Sequence, residues 1–282
     1  MEVIQGKNEL RDLLAEWGRN GEHIAVVPTM GNLHGGHLSL VNVAREHAER
    51  VVVTVFVNPV QFGADEDFED YPRTFDRDTR KLRTVNADVL FAPDVETVYP
   101  FGLENATRIT VPGLSEHLCG SHRPGHFDGV TTVVARLFAL VRPDVAVFGK
   151  KDFQQLLVIR RMIEDLSLPL RVVAAETIRE QDGLAMSSRN TYLSDDERQL
   201  APALYQVLVA TADEIRKGQR DFEELEARAV HDLGNVGFAP EYIAIRQSAD
   251  LGMPGPSCAE FVVLAAAQLG AARLIDNVLV SA

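Results

Sequence analysis

Cysteine is scarce in this chain. Cys119 and Cys258 are the only two among 282 residues, they lie far apart, and no CxxC pair occurs. That argues against a disulfide framework and makes a reduced cytosolic chain with two incidental thiols the expectation. Long apolar runs are missing as well: no stretch reaches the roughly 20 residues of a membrane-spanning helix. The opening MEVIQGKNELRDLLAEW has no basic start followed by an apolar block and a small-residue cleavage site, so no secretory signal is expected. Positive charge is in deficit, with 28 Lys and Arg against 41 Asp and Glu and a formal net charge of −13. Such a surface repels nucleic acid and anionic membrane, and neither is expected as a partner. Internal repeats and low-complexity segments are absent too.

What is present is ordinary globular material, 46% apolar and 24% charged, in a length that suits one large or two modest domains. Leu10, Leu13, Leu14 and Trp17 recur at helical spacing over residues 9–17. A first strand is expected from His23 to Val27, stopped by Pro28, and a first helix over 37–49. Val51 to Val57, VVVTVFV, is nearly all apolar and β-branched, as a strand covered on both faces reads. Residues 63–72, GADEDFEDYP, read as a solvated acidic loop. A polar helix follows from Thr74 to Val85, then a short strand from Asp88 to Ala92. Residues 93–128 read as a long irregular stretch, of the kind that often carries function. A helix begins at Asp128 or Thr131 and runs to Leu140. Then come a strand from Val145 to Phe148, a helix to Asp165 and a strand from Leu170 to Ala175. This alternation predicts a right-handed, open, parallel α/β sheet over residues 1–175. Helices over 194–217 and 221–234, with strands over 241–246, 260–267 and 274–280, predict a smaller α+β domain over 176–282.

Ligands of open parallel sheets sit beyond the carboxyl ends of the strands. Three suspicious stretches lie there, and their convergence outweighs any one of them. The first is VVPTMGNLHGGHLSL, residues 26–40. A strand, a glycine-rich turn and a helix offer free backbone N–H groups to an anion. His34 and His37, three apart, share a face once the helix has begun, and Gly35 and Gly36 carry no Cβ. Two such histidines also occur in ordinary helix starts. As metal ligands they lack a third partner nearby and zinc-site spacing. The second stretch is FVNPVQF, where Gln61 is an amide at a strand exit, able to donate to a carboxylate and accept from a hydroxyl. The third is GKKDFQQ: backbone N–H groups, Lys150 and Lys151 for phosphate, Asp152 for a ribose hydroxyl, and Gln155 as a second amide. Farther on, Met186-Ser187-Ser188-Arg189-Asn190 follows Gly183 and offers two hydroxyls and a guanidinium to phosphate oxygens, unless it merely links to the helix near Ser194. Arg123 and His126 in SHRPGHFDG add to the positive lining, His126 being equally an ordinary loop histidine. Met30 packs on a ligand or on the core.

With HxGH, FVNPxQF, GxKDxQQ, MSSRN and the closing RLIDN in this order, the whole chain resembles the pantoate–β-alanine ligase (pantothenate synthetase) family. HxGH matches the HIGH signature of the nucleotidyltransferase superfamily. The resemblance implies a Rossmann-like N-terminal domain, a smaller C-terminal lid and a cytoplasmic homodimer. It also implies condensation of pantoate with β-alanine using ATP and Mg²⁺, through a pantoyl-adenylate. It assigns Met30, Gly31, Asn32, Leu33, His34, Gly35, Gly36 and His37 to ATP, with His37 as an acid. It gives ATP also Gly149, Lys150, Lys151, Asp152, Ile178, Met186, Ser187, Ser188 and Arg189. Gln61 and Gln155, with Arg123, fall to the two acid substrates, and no metal ligand is assigned. Gly35 at the variable site of HxGH and Lys150 in place of the usual acidic residue depart from the family's common forms. The second departure opens the question of which lysine reaches phosphate, and Lys151 is the choice. Two other readings stand beside this one: a different nucleotidyltransferase of the superfamily, which the paired Gln61 and Gln155 disfavour, and a non-catalytic ATP-sensing module. An aminoacyl-tRNA synthetase is disfavoured because no basic anticodon-reading domain follows.

Overall fold

The β-branched run at 51–55 sits at the heart of a six-stranded parallel sheet in the computed structural model, which describes residues 1–63 and 66–281. In chain order the first part comprises β1 (Glu2–Ile4), α1 (Lys7–Arg19), β2 (Ile24–Thr29), α2 (Gly35–Arg45), β3 (Arg50–Val55), α3 (Phe75–Thr84), β4 (Val89–Phe91), the short turns α4 (Val95–Val98) and α5 (Cys119–His122), α6 (His126–Val141), β5 (Val145–Gly149), α7 (Phe153–Asp165) and β6 (Arg171–Ala175). The strand order is β1-β4-β3-β2-β5-β6. Successive strand residues face opposite layers. Val26, Val52, Val89 and Ala146 pack with α1, α6 and α7. Ala25, Val27, Val51, Val53, Leu90 and Val147 pack with Val41 and Ala44 of α2 and Leu82 of α3. Burial on both faces is why the run reads apolar throughout.

Several local expectations are corrected. β1, three residues long, is too short to show a period, yet it pairs with β4 from Glu2↔Val89 to Ile4↔Phe91. Pro28 does not stop β2, which runs on to Thr29 with Pro28 opposite Thr54 of β3. The carbonyls of His23 and Thr29 point to β3 and that of Ile24 to β5, so by alternation the ring nitrogen of Pro28 faces β5. It has no N–H to give. Pairing of β2 with β5 accordingly covers only Ala25↔Val145 and Val26↔Ala146. Beyond that point the two central strands part, at the place where the strand order reverses. The first helix starts at Gly35 and ends at Arg45, and α6 begins at His126, directly after left-handed Gly125. The stretch expected to be irregular holds α4 and α5. Positions 64 and 65 of the expected acidic loop lie outside the described residues.

After β6 come α8 (Asp195–Leu200), α9 (Ala203–Arg216), α10 (Phe222–Val236), β7 (Ala239–Gln247), β8 (Glu260–Leu269) and β9 (Ala272–Ser281). The single helix expected over 194–217 is two. Ser194 and Glu197 form a reciprocal cap for α8, and Pro202, lacking an N–H, separates α8 from α9. The strands form an antiparallel sheet in the order β7-β8-β9. One face packs on α9 and α10. The other, through Ala244, Val262 and Leu264, packs on Phe153 and Leu157 of α7, so the apolar run of β8 has no watered side. Among the described residues no helix is long and apolar enough to cross a membrane.

Helix α6 approaches the 3₁₀ turn Pro59–Gln61 through Gly129. A Cβ there would stand 2.6 Å from both Gln61 Cα and the Val60 carbonyl oxygen. We expect Gly129→Ala to lower the unfolding free energy by about 1–3 kcal/mol through overpacking. Urea denaturation followed by the fluorescence of Trp17 checks this, and an unchanged midpoint would show that helix and turn separate freely.

Candidate active site

Where β2 and β5 part, a cavity of about 230 Å³ opens at their carboxyl ends, lined by Pro28, Thr29 and Met30 on one side and Val147, Phe148 and Gly149 on the other. A roomier hollow of about 530 Å³ lies at the opposite end of the sheet, by His23, Ile24 and Asp144. None of the candidate residues reaches it, and the switch-point rule favours the carboxyl end.

The loop after β2 turns through left-handed Gly31 and Asn32, φ +84° and +48°, and is held from several sides. The Thr29 hydroxyl donates to the Thr54 carbonyl at 2.7 Å and accepts from Gly31 N–H at 3.2 Å. The fully buried Asp78 carboxylate on α3 accepts from the N–H groups of Asn32 and Leu33, both at 2.9 Å, and from the Thr74 hydroxyl at 3.0 Å. Arg77 donates to Asn32 Oδ1 at 2.7 Å, and Lys81 donates to the Leu33 carbonyl. Asp78, Arg77 and Lys81 thus set the loop, and sequence reading missed all three. Their charges on an amphipathic helix carry no mark of a partner about 45 residues away.

The two histidines cap α2 with their rings. Gly36 N–H donates to His34 Nδ1 at 3.1 Å, and His34 N–H donates to His37 Nδ1 at 3.3 Å. Both Nδ1 atoms are acceptors, so the bonding pattern assigns each proton to Nε2. The rings lie 4.1 Å apart between centroids and both line the cavity. They are reached from the cavity yet surrounded by protein atoms. Burial, and then the Lys151 charge, push His34 down to about 4. Burial, then His34 and Lys151, hold His37 well below its usual value. At neutral pH the pair is uncharged and offers two Nε2–H donors. Gly35 and Gly36 make room for side chains: a Cβ on Gly35 would lie 3.0 Å from Met186 Sδ, and one on Gly36 2.9 Å from His34 Cε1.

Gln61 is 8% exposed, and its amide is oriented from behind. Tyr99 donates to Asn58 Oδ1 at 2.7 Å. Asn58 Nδ2 donates to the Gly129 carbonyl at 3.1 Å and to Gln61 Oε1 at 3.2 Å. The Gln61 NH₂ therefore turns outward, toward Met30 Sδ and the cavity. Met30 lines the cavity rather than the core. His126 accepts from Arg123 Nη1 at its Nε2 and donates from Nδ1 to the Gln61 carbonyl at 2.8 Å. Burial, then Arg123, lowers it to about 4.

Lys151, Asp152, Gln155, Ile178, Met186, Ser187, Ser188 and Arg189 complete the wall, joined by Tyr71, Glu176 and Thr177, which sequence reading did not single out. Ser188 Oγ donates to the Asn32 carbonyl at 3.1 Å, closing the MSSRN segment on the first loop. Lys150 is not among the lining residues and pairs with Glu176 at the rim. Gly31, Asn32, Leu33 and Gly35 shape the loop without lining the cavity. Arg123 borders a neighbouring cavity of about 80 Å³ that shares Lys151, Asp152 and Gln155. The acidic loop is not merely solvated. Glu66 pairs with Arg123, its Oε1 2.6 Å from Nε, and Asp67 takes Arg189 at 2.8 and 3.2 Å and the Tyr192 hydroxyl at 3.2 Å. Among the described residues no group of three or more His, Cys, Asp or Glu is placed to hold a metal. Among the same residues the carboxylates on the cavity wall are Asp152 and Glu176.

The family model described as pantoate-beta-alanine ligase matches residues 2–279. A pantothenate synthetase of Thioalkalivibrio sulfidiphilus is 54% identical over 98% of this chain and 97% of its own length. One of Methylococcus capsulatus is 50% identical over 100% and 98%. Among solved structures, pantothenate synthetase from Thermus thermophilus superposes with a TM-score of 0.92 at 46% identity, covering 99% of both chains. Pantoate-beta-alanine ligase from Francisella tularensis, solved with beta-gamma ATP and beta-alanine, gives 0.81 at 31% identity, covering 99% and 97%.

Because His34, His37 and His126 have folded-state values below their usual 6.5, the unfolded chain binds more protons than the folded one between that pH and about 4. Their contribution to stability is whole above about pH 6.5 and declines as pH falls toward 4. We expect the melting temperature to drop from about pH 7 to about pH 5, with a shallower slope in His34→Gln. Nitrogen NMR of the rings should show the Nε2–H form of His34 and His37 at neutral pH. A titration of either near 6.5 contradicts the assignment.

Proposed function

The chain belongs to the pantoate–β-alanine ligase family and joins pantoate to β-alanine with ATP, giving pantothenate, AMP and pyrophosphate; on that premise we propose that both halves of the reaction run through a pantoyl-adenylate in the cavity at the β2–β5 divergence. The observation that carries this is the meeting of three strand-exit segments and two neutral imidazole donors on one cavity. Met30, His34, Gly36, His37, Gly149, Lys151, Asp152, Ile178 and Met186 to Arg189 embrace ATP, with Lys151 on phosphate and Asp152 on ribose, while Gly31, Asn32, Leu33 and Gly35 shape the loop that carries the histidines. Lys150, tied to Glu176, is not the phosphate lysine. Gln61 and Gln155 hold pantoate, and Gln61 also meets β-alanine; Arg123, bound to Glu66 beside the neighbouring cavity, stands outside this wall.

In the first step the pantoate carboxylate attacks the α-phosphorus. It is already ionised and needs no base, only in-line placement and donors for charge gathering on phosphate oxygens. The outward NH₂ of Gln61 suits a carboxylate. The Nε2–H groups of His34 and His37 suit the phosphate. With both rings held neutral, His37 acts as a hydrogen-bond donor and not as a charged acid. Arg189 reaches the phosphates by exchanging Asp67 for them. Asp152 and Glu176 are the wall carboxylates that would meet a magnesium ion or its waters, and such an ion would supply neutralising charge to the triphosphate. In the second step the amine of β-alanine attacks the acyl carbon and AMP leaves. The amine must be neutral, and desolvation in the closed cavity favours that form.

Residues 1–175 form the nucleotide- and pantoate-binding body and residues 176–282 the lid over it. Two free thiols, one buried and one partly so, suit a reducing cytoplasm. The homodimer is carried over from the family, and light scattering decides it.

ATP–pyrophosphate exchange tests the reading. We expect exchange only with pantoate present, and a loss on the order of 10²-fold or more in His37→Ala, as for a lost oxyanion donor. Normal pyrophosphate release with only the β-alanine KM altered would sink it.

A further inference from the structure

Strand β9 carries two polar side chains in an apolar setting, Asp276 and Asn277, 3% and 6% exposed. Neighbours on a strand point to opposite faces, and each of these reaches a different segment of the cavity wall. Asp276 turns to the face shared with α9. Its two oxygens take the two terminal nitrogens of Arg179, at 2.5 and 2.9 Å. Arg179 also donates to the Gly183 carbonyl at 3.1 Å and lies 3.6 Å over the Tyr205 ring. It pairs with Ala185 across a small bridge, so the bend that presents Ile178 and Met186 to the cavity is tied at its base.

Asn277 turns the other way, across the boundary between the two sheets. Its Nδ2 donates to the carbonyls of Lys150 and Lys151, both at 2.9 Å. An amide nitrogen has two protons, and both are used. The reversed amide would set its oxygen against two carbonyl oxygens, so the orientation is fixed. The short turn Lys150–Asp152 thus takes its bearing from a side chain about 126 residues later.

We propose that Asp276 and Asn277 are positioning residues for the nucleotide: one strand of the small sheet sets both the turn bearing Lys151 and Asp152 and the bend bearing Ile178 and Met186. The proposal rests on the reading that these segments hold ATP. Both residues also border the small cavity beside Arg123; as positioning residues each acts through backbone and through Arg179. Buried polar groups that only had to be satisfied would not need to divide their bonds between two stretches of one cavity wall.

The test is steady-state kinetics of Asn277→Asp, which keeps the shape and replaces the two donors with acceptors. We expect the KM for ATP to rise on the order of tenfold, with the KM values for pantoate and β-alanine unchanged. Asn277→Ser, with one donor, should fall between the variant and the parent chain, and it serves alone if the aspartate variant does not fold. Asp276→Asn should show the same ATP-selective loss. An unchanged ATP KM in Asn277→Asp overturns the proposal. So does a loss spread evenly over all three substrates with a lowered melting temperature. Lys151→Ala separates the two claims: if it leaves the ATP KM unaltered, the nucleotide reading itself fails. If it raises that KM while Asn277→Asp does not, only the positioning role falls.

Discussion

Pro28 offers no N–H to β5, and the ladder between the two central strands stops after Val26 and Ala146. Everything in the cavity depends on that parting. In an unbroken parallel sheet, the exits of β2 and β5 would be sealed by their own hydrogen bonds. Here the unpaired ends splay, and the loop after β2 and the turn after β5 become facing walls. The partner on the other side of β2 is not disturbed, because Thr29 still accepts from Phe56 and holds the β3 side closed. One residue type at one register position thus opens the sheet on one side only.

The second constraint is electrostatic. A chain of net charge −13 has no strong positive field to offer an anion. Its cavity presents directed donors instead. The imidazole pair gives its Nδ1 atoms to the start of α2 and keeps Nε2–H for the cavity, so the same rings end a helix and present uncharged donors. Guanidinium charge is present but held in reserve: Arg189 lies against Asp67 and Arg123 against Glu66. Lys151 also lines the wall, and its charge helps keep both histidines neutral.

The parts of the site that were legible in the chain are those whose chemistry is contiguous. HxGH, Gln61 in FVNPVQF, and Lys151 and Asp152 in GKKDFQQ each follow an apolar strand, and the rule about strand exits needs only the order of elements. The parallel sheet was legible because its strands are buried on both faces and read as continuous apolar runs. What stayed hidden depends on distant partners. Asp78 looks like any acidic residue on a polar helix until the loop at 31–33 is laid against it. Tyr99 and Asn58 orient Gln61 through bonds spanning some 41 residues. Glu66 and Asp67 read as solvated because nothing local announces an arginine about 57 or 122 residues away. Strand β1 is paired but too short to declare a period, and Pro28 misleads because proline ends a strand only where its N–H is needed.

The central neighbours β2 and β5 are far apart along the chain. The Ile24 N–H meets the Asp144 carboxylate across 120 residues. The hairpin-free order of the sheet means that β1 to β4 can assemble early as a slab whose β2 edge still awaits a partner. β5 joins that edge only after a long loop has been closed, and loop closure of this length slows folding more than it weakens the product. A half-assembled molecule would therefore hold the glycine-rich turn and its imidazoles with no opposing wall. Completion of the cavity therefore waits on the docking of β5.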